Sequence, residues 1–489
     1  MSLDRVKKRF LKEAFKMRVL FIIRSFLHFS YVSTIIDALV QNANAVSILF
    51  DPIWSKHKSD RVVQNYKQTS KNIEIGWILP RSDFWRKLIF FSRELLSYTS
   101  YLERSNQSRY YLNRWSRYLP FLIKNIVHIT MVKQILVSKP IKTALKRFEK
   151  KVPPDPNICK DLLKRKPDVL VATPINLRAS EEVEYVKAAK ALNIPTVVPV
   201  LSWDNLTTKG IFHIIPDLTC VWNETQRHEA NSINGVPTNQ IVVTGSPFFD
   251  KWFNNDDLLE GRMQFCQRIG IDPYKPYLVY IGSTNRIAPD EIWLIKEISN
   301  CIKDHFEPRI RELGLLVRPH PTVARKYTKL HDDAFVVWPK HWALPETKES
   351  QRDFYNTIYH SMLTIGINTS GMIDAIIINK PCITILTERY RATQEQTTHF
   401  KHLLKANVLE VTRSVEEAIE AIIRILDGQD NLRQQRLDFV RSFVRPRGLN
   451  RLAGEVAAKA IEMTAQGKTL VEIESEILNI HHSHAEAIL

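Results

Sequence analysis

Apolar residues in this chain fall into short unbroken runs, separated by longer stretches in which apolar positions recur every three or four residues. Arg18–Arg24 (RVLFIIR) is a continuous run of strand length. A helical pattern follows from about Ser30 to Gln41, and Ala45–Phe50 (AVSILF) is a second run, closed by Asp51-Pro52. Short apolar runs without alternation suit strands buried on both faces. Strand, helix and strand with short joins make a βαβ unit, which implies a parallel sheet. The alternation breaks at Pro153-Pro154-Asp155-Pro156 and resumes with strands at Asp168–Ala172, Thr196–Leu201, Asp217–Trp222 and Ile241–Thr244. Helices are expected between them at Glu181–Leu192 and Glu224–Asn234.

A second set opens at Tyr277–Ile281 (YLVYI). Its further strands are Leu315–Arg318, Phe335–Trp338, Met362–Ile365 and Cys382–Leu386. Its helices are Pro289–His305, Asp353–His360, Ser370–Ile378 and Ser414–Leu426. The expected fold is therefore α/β, with two doubly wound Rossmann-like domains. Residues 1–16 read as a basic N-terminal helix. An N-terminal domain spans 17–250, with a helical basic insert over 81–166. A C-terminal domain spans 251–430, and helices fill 431–489. In doubly wound sheets, ligands sit outside the carboxyl ends of the strands, so residues just after strands are the candidates for chemistry.

Charge is unevenly placed. The net charge of the 489-residue chain is +17. Residues 81–166 hold twenty Lys and Arg against six acids, a balance of +14, and residues 1–16 hold six against two, a balance of +4. The insert also carries Phe84, Trp85, Phe90, Phe91, Tyr98, Tyr101, Tyr110, Tyr111, Trp115, Tyr118 and Phe121. Basic residues among aromatics suit an anionic membrane surface, where each cation contributes ~1 kcal/mol. The alternative is a solvated helical subdomain with an aromatic core. No RNP, KH or helix-turn-helix pattern points to nucleic acid.

Composition removes several function classes. At 44% apolar and 25% charged residues, the chain is ordinary globular protein. No stretch is long and apolar enough for a membrane span, and Arg24 interrupts the first apolar run, against a signal peptide. The five cysteines (Cys159, Cys220, Cys266, Cys301, Cys382) stand far apart with no CxxC pair. Neither a disulfide framework nor a zinc knuckle is supported, and a reducing cytoplasm fits. Only 14 glycines occur, none arranged as a dinucleotide fingerprint or a P-loop. An Asp-x-Asp metal pair is also absent.

Three loops carry chemistry. At Thr364–Ala375 (TIGINTSGMIDA) a strand runs through a small-residue turn into a helix. Asn368, Thr369, Ser370 and Gly371 offer hydroxyls and backbone N–H groups at a helix N-terminus, which suits a diphosphate. Asp374, one turn in, could face a ribose hydroxyl. The plainer alternative is N-capping by Thr369 or Ser370. In Arg318-Pro319-His320-Pro321, Arg318 can grip phosphate oxygens bidentately and His320 can donate to phosphate or a sugar hydroxyl. The alternative there is a rigid turn. Gly282-Ser283-Thr284-Asn285 is a similar loop, where glycine permits close backbone approach.

With these motifs in view, the second half resembles the C-terminal domain of GT-B glycosyltransferases. It is nearest the capsule, teichoic-acid and surface-polysaccharide branch (CDP-glycerol glycerophosphotransferase-like). Val242-Val243-Thr244-Gly245-Ser246-Pro247 with Phe249-Asp250, Arg318-Pro319-His320-Pro321, and Gly366–Asp374 followed by Asn379-Lys380-Pro381 carry the resemblance, over roughly residues 200–400. It implies a nucleotide-linked donor in the C-terminal domain and an acceptor in the N-terminal one. Gly282, Ser283, Thr284, Arg318, His320, Asn368, Thr369, Ser370, Gly371, Asp374 and Glu388 would line the donor site. Asp374 stands where the family often carries Glu.

His28, just past the first strand, is a candidate base, since a histidine can take a hydroxyl proton at neutral pH. Asp204 could be the base, orient it, or cap the next turn. No cofactor and no metal are implied. The leaving diphosphate would then be neutralised by the helix end and Arg318. The expectation is a metal-independent transferase at the cytoplasmic membrane face, moving a sugar or glycerol-phosphate-like group to a cell-surface glycan or lipid-linked acceptor. Two alternatives stay open: a UDP-N-acetylglucosamine 2-epimerase-like enzyme, and a non-catalytic scaffold of the same fold that binds glycan or protein.

Overall fold

The computed structural model describes residues 16–55, 72–104, 108–253, 257–327, 335–339 and 347–485. The basic helix expected at 1–16 lies outside them, save for its last residue. Strands β1 (Arg18–Ile23), β2 (Ala45–Phe50), β3 (Ile73–Trp77), β4 (Val169–Thr173), β5 (Thr196–Pro199), β6 (Leu218–Val221) and β7 (Ile241–Val243) form one sheet in the order β3-β2-β1-β4-β5-β6-β7. Strands β8 (Tyr277–Ile281), β9 (Gly314–Arg318), β10 (Val336–Val337), β11 (Leu363–Gly366), β12 (Cys382–Ile385) and β13 (Glu410–Thr412) form a second, in the order β10-β9-β8-β11-β12-β13. Every neighbouring pair is parallel.

Two doubly wound α/β domains with a basic helical insert in the first are thus what the chain forms. The chain divides into one unit of residues up to 105, 112–250 and 443–489, and another of 106–111 and 251–442. Two strands escaped the sequence pattern. β3 (IEIGW) is an edge strand whose Trp77 is exposed and which carries Glu74 and Gly76. β13 has only three residues. Neither offers an unbroken apolar run.

The apolar runs work because successive side chains leave a strand on opposite faces. On one face Val19, Phe21 and Ile23 meet Ile35, Ile36 and Leu39 of the helix Ser33–Gln41, together with Val456, Ala457, Ala460 and Ile461 of the helix Ala453–Ala465. On the other, Leu20 and Ile22 meet Val183, Val186 and Ala189 of the helix Glu182–Ala191. Each fully buried aliphatic contributes about 1.5–3 kcal/mol. In the second unit, Leu278 and Tyr280 of β8 share a core with Leu294, Ile298, Ile419 and Ile422.

The insert fills the connection from β3 to β4 with helices including Trp85–Glu103, Arg109–Ser116, Phe121–Ile126, Thr130–Val137, Lys139–Lys151 and Pro156–Arg165. Buried charge holds it to the sheet layer. Arg93 donates to both Glu149 oxygens (2.8 and 2.8 Å) and to Glu184 of the helix Glu182–Ala191 (2.5 Å). Arg81 reaches the other Glu184 oxygen at 2.7 Å. Burial alone would raise the Glu149 carboxyl, but Arg93 and Lys187 hold it down to about 2. Removing one partner from such a network leaves an uncompensated buried charge, a loss of ~3–5 kcal/mol.

Candidate functional site

In both sheets the strand order reverses beside the first strand of the unit, between β1 and β4 and between β8 and β11. Loops leaving the carboxyl ends of such a pair turn to opposite sides and leave a crevice. In the second unit these loops are Gly282–Thr284 after β8 and Ile367–Ser370 after β11. The structure joins them: the Asn368 N–H donates to Ser283 Oγ at 3.4 Å. Ser283 is fully buried, and its own N–H donates to Glu291 at 2.7 Å. The Asn368 amide also donates to the Thr393 carbonyl (2.7 Å) and meets His399 Nε2 (3.2 Å). Gln394 braces the same edge from below, donating to the Ile367 carbonyl at 2.9 Å.

The glycines here serve packing. A Cβ on Gly371 would lie 2.6 Å from Ile281 Cγ2, and one on Gly282 would lie 3.1 Å from the backbone of Pro319 and of His320. The close approach expected at Gly282 is therefore made by the Arg318–His320 loop. The helix Gly371–Ile377 has only seven residues. The Gly371 N–H donates to Thr369 Oγ1 (3.3 Å), and the Met372 and Ile373 N–H groups donate to the Thr369 and Ser370 carbonyls (3.1 and 2.9 Å). Of the two expected caps, Thr369 makes this bond, while the exposed Ser370 makes no side-chain cap.

Two charged residues stand differently from expectation. Arg318 leaves the end of β9 but is 6% exposed, turned inward onto Asp353 (2.8 Å) and Thr357 (3.1 Å) across the Phe354 ring. Burial lowers its pKa and Asp353 opposes that shift. Its Nη1 edge is thus not free to clamp a phosphate, because an unpaired guanidinium at this depth would be costly to desolvate. Asp374 is likewise buried, accepting from the Trp252 indole at 2.5 Å rather than facing outward. Burial raises its carboxyl to about 6, against Lys251 and Trp252.

His320 accepts the Thr322 N–H at Nδ1 (3.2 Å), and Thr322 Oγ1 lies 2.9 Å from the same nitrogen. In a neutral ring the proton then sits on Nε2. Burial lowers the pKa to about 4, so at neutral pH this ring is an uncharged donor. Thr284 accepts backbone bonds from Ile287 and Ala288 (2.9 and 3.1 Å) and closes its own turn. Glu388 is exposed at the surface beside Arg391 (3.5 Å).

In the first unit His28 sits in the single turn Phe26–Phe29 directly after β1, with Nδ1 2.8 Å from Ser25 Oγ. Beside it Arg24 is buried, donating to the Arg178 carbonyl (2.6 Å) and paired with Glu182 (3.6 Å). Asp204 follows β5, two strands away, and its carboxylate is taken up by Ser202 Oγ (2.6 Å), Thr208 Oγ1 (2.7 Å) and Lys209 Nζ (2.9 Å). That arrangement fits turn capping better than proton abstraction. Among the described residues, no group of three or more His, Cys, Asp and Glu is placed to hold a metal ion.

Sequence reasoning passed over Glu291, Asp353, Trp252 and Gln394. Each is defined by a partner 8 to 122 residues away. Only Glu291, close behind the Gly282–Thr284 loop, lies near enough in sequence to have been weighed with it.

In sequence the chain matches no protein-family model and no curated protein. In structure it is similar to UDP-GlcNAc 2-epimerase of Methanocaldococcus jannaschii in complex with UDP-GlcNAc and UDP, with TM-score 0.51 and 14% identity over 91% of this chain and 99% of that one. It is similar to S. aureus MnaA bound to UDP, with TM-score 0.51 and 12% identity over 91% and 96%. A glycosyltransferase of Rickettsia africae gives 0.50 and 11% over 92% and 99%. At such identities the likeness is one of fold, and the fold is GT-B: two Rossmann-like α/β domains, here with sheets of seven and six strands.

Proposed function

We propose that the crevice after β8 and β11 holds a nucleotide-linked donor, and that the chain transfers a sugar or glycerol-phosphate-like group from it to a glycan or lipid-linked acceptor. The observation that carries this reading is the Asn368-to-Ser283 hydrogen bond, which ties two hydroxyl- and amide-bearing loops together where the strand order reverses. The fold likeness to proteins solved with UDP and UDP-GlcNAc supports it. The donor's phosphates would be met by neutral donors: the hydroxyls of Thr369 and Ser370 and the Nε2–H of His320. Held dipoles of this kind stabilise charge that develops on a leaving group. Arg318 and Asp374 would position these loops from beneath. The chain has no Asp-x-Asp pair, so the proposed transfer is metal-independent. His28 of the first unit is the proposed base: Ser25 Oγ lies 2.8 Å from Nδ1, and Nε2 would take the proton of an acceptor hydroxyl.

Thermal unfolding with UDP-, CDP-, GDP- and CMP-linked compounds tests the donor site. One nucleotide should raise Tm, since ligand at a hundred times Kd adds about 2.7 kcal/mol. No response to any compound overturns the donor reading and favours a non-catalytic scaffold. His28→Ala should keep the shift and lose transfer. An epimerase-like activity on UDP-GlcNAc is a second reading, favoured by the kind of protein that shares the fold. NMR of UDP-GlcNAc incubated without acceptor separates the two: a C2 epimer should appear only under that second reading.

A further inference from the structure

We infer that the helical surface over residues 117–151 docks on an anionic lipid bilayer. This holds or fails apart from the transfer reading, because it concerns where the first unit rests rather than what the second one binds.

The segment turns apolar side chains to solvent. Phe121 is 75% exposed, Met131 65%, Ile129 52%, Ile135 48% and Ile126 44%. Val127 and Leu136 supply the core contacts of the same stretch, so the exposed five are not its inner face. Of the eleven aromatics that suggested membrane contact in the sequence, Tyr98, Tyr101, Tyr111 and Trp115 are inside, at most 4% exposed, whereas Phe84 and Phe121 are outside. The exposed tips of 117–151 are therefore one member of that set, Phe121, and four non-aromatic side chains. Phe84 and Leu88, also exposed, lie at the start of the helix Trp85–Glu103, against which Thr130–Val137 and Lys139–Lys151 pack. So many exposed apolar side chains on one short stretch of helices that pack together point to an interaction surface.

The charge around those tips has one sign. Between Arg117 and Lys151 stand nine Lys and Arg and a single acid, Glu149. That acid is buried between Arg93 and Lys187 and presents nothing to solvent. Lys142 is paired with Glu103, whereas Lys124, Lys139, Lys146, Arg147, Lys150 and Lys151 are exposed. The insert's other acids are spent in the same inward manner: Glu94 and Asp155 are buried, and Asp83 and Asp161 are paired with Arg81 and Arg165. Formal charge thus understates what the surface shows.

Apolar tips among lysines on short helices fit a headgroup layer. A fluid bilayer accepts tips in any arrangement, whereas a protein partner would need a matching groove. A nucleic acid offers aliphatic side chains no base face to gain from, since its affinity comes from aromatic stacking and phosphate pairing.

Flotation of the full-length protein with vesicles of equal parts phosphatidylcholine and phosphatidylglycerol tests the inference. The protein should float at low salt, be released at high salt, and stay behind with pure phosphatidylcholine. Lys139→Gln/Lys146→Gln/Lys150→Gln should lower partitioning roughly a hundredfold, at about fivefold per charge. Phe121→Ser/Met131→Ser/Ile135→Ser should also release it. All six side chains are exposed, so both variants should melt with the wild-type protein. Absence of the wild-type protein from anionic vesicles overturns the inference, as does equal binding to neutral ones. Wild-type binding by both variants, with their melting unchanged, also overturns it, since the anchor would then lie elsewhere in the chain.

Discussion

Burial changes what a charged residue can do, and Glu94 and Arg318 show it in opposite ways. Arg318 has an acid to answer it; Glu94 is answered only in part. Glu94 accepts the Ala179 N–H at 2.8 Å through Oε1, while Oε2 has no hydrogen-bond partner. Burial raises its carboxyl to about 7, against the Ala179 bond and the charges of Arg178, Arg24 and Arg93. A group raised in this way contributes stability that is fully present below its unfolded pKa of 4.5 and is lost as pH rises through the folded value. Glu94→Gln keeps the acceptor and removes the titration. Relative to wild type, the variant should therefore gain stability between pH 4.5 and about 7, by on the order of 3 kcal/mol. Urea unfolding at pH 5 and pH 8 measures it, and an equal difference between variant and wild type at both pH values would falsify the assignment. His320 is the converse: with a pKa of about 4 it should act as a neutral donor throughout that range.

Elements made of unbroken apolar runs were legible in the chain. RVLFII and AVSILF became β1 and β2, and YLVYI became β8, because strands buried on both faces need no alternation. What stayed illegible depends on distance through space. Nothing in Arg318-Pro319-His320-Pro321 announces that Asp353, on the helix Lys348–Tyr359, turns the guanidinium inward. Nor does the run of tyrosines in the insert say which rings become core. The loops of the candidate site stand out in the sequence because they follow strands, but what their glycines pack against does not. Gly371 is needed because the helix Gly371–Ile377 starts against the stiff, branched Ile281 at the end of β8. Gly371→Ala should push the helix off that strand end, lowering stability by about 1–3 kcal/mol. It should also weaken the nucleotide response by moving Thr369 and Ser370. Denaturant unfolding alongside the nucleotide screen checks it, and a variant with wild-type stability would show that the end of β8 yields.

At the scale of the whole chain, the first unit is completed only when the polypeptide returns to it at Phe443. Asp250, the last residue before the crossing, receives that return. Its carboxylate accepts the N–H groups of Ala453 (3.0 Å) and Gly454 (2.8 Å) and pairs with Arg445 (2.9 Å). Gly454 lets the helix Ala453–Ala465 lie directly on the helix Ser33–Gln41, since a Cβ there would come within 2.6 Å of the Thr34 backbone. Behind it, Val456, Ile461, Met463, Ile473 and Ile477 enter the core beneath β1. At ~2 kcal/mol each, these five side chains are worth on the order of 10 kcal/mol, comparable to the net stability of a whole domain. A chain ending at Ser442 should therefore lose the first unit and retain the second, whose core draws on none of them. Limited proteolysis reads this directly. The truncated chain should yield a protected fragment from about residue 251 onward, with rapid digestion of everything before it. Equal protection of both parts would mean that the N-terminal segment folds without its returning helices, and that the capping by Asp250 is dispensable.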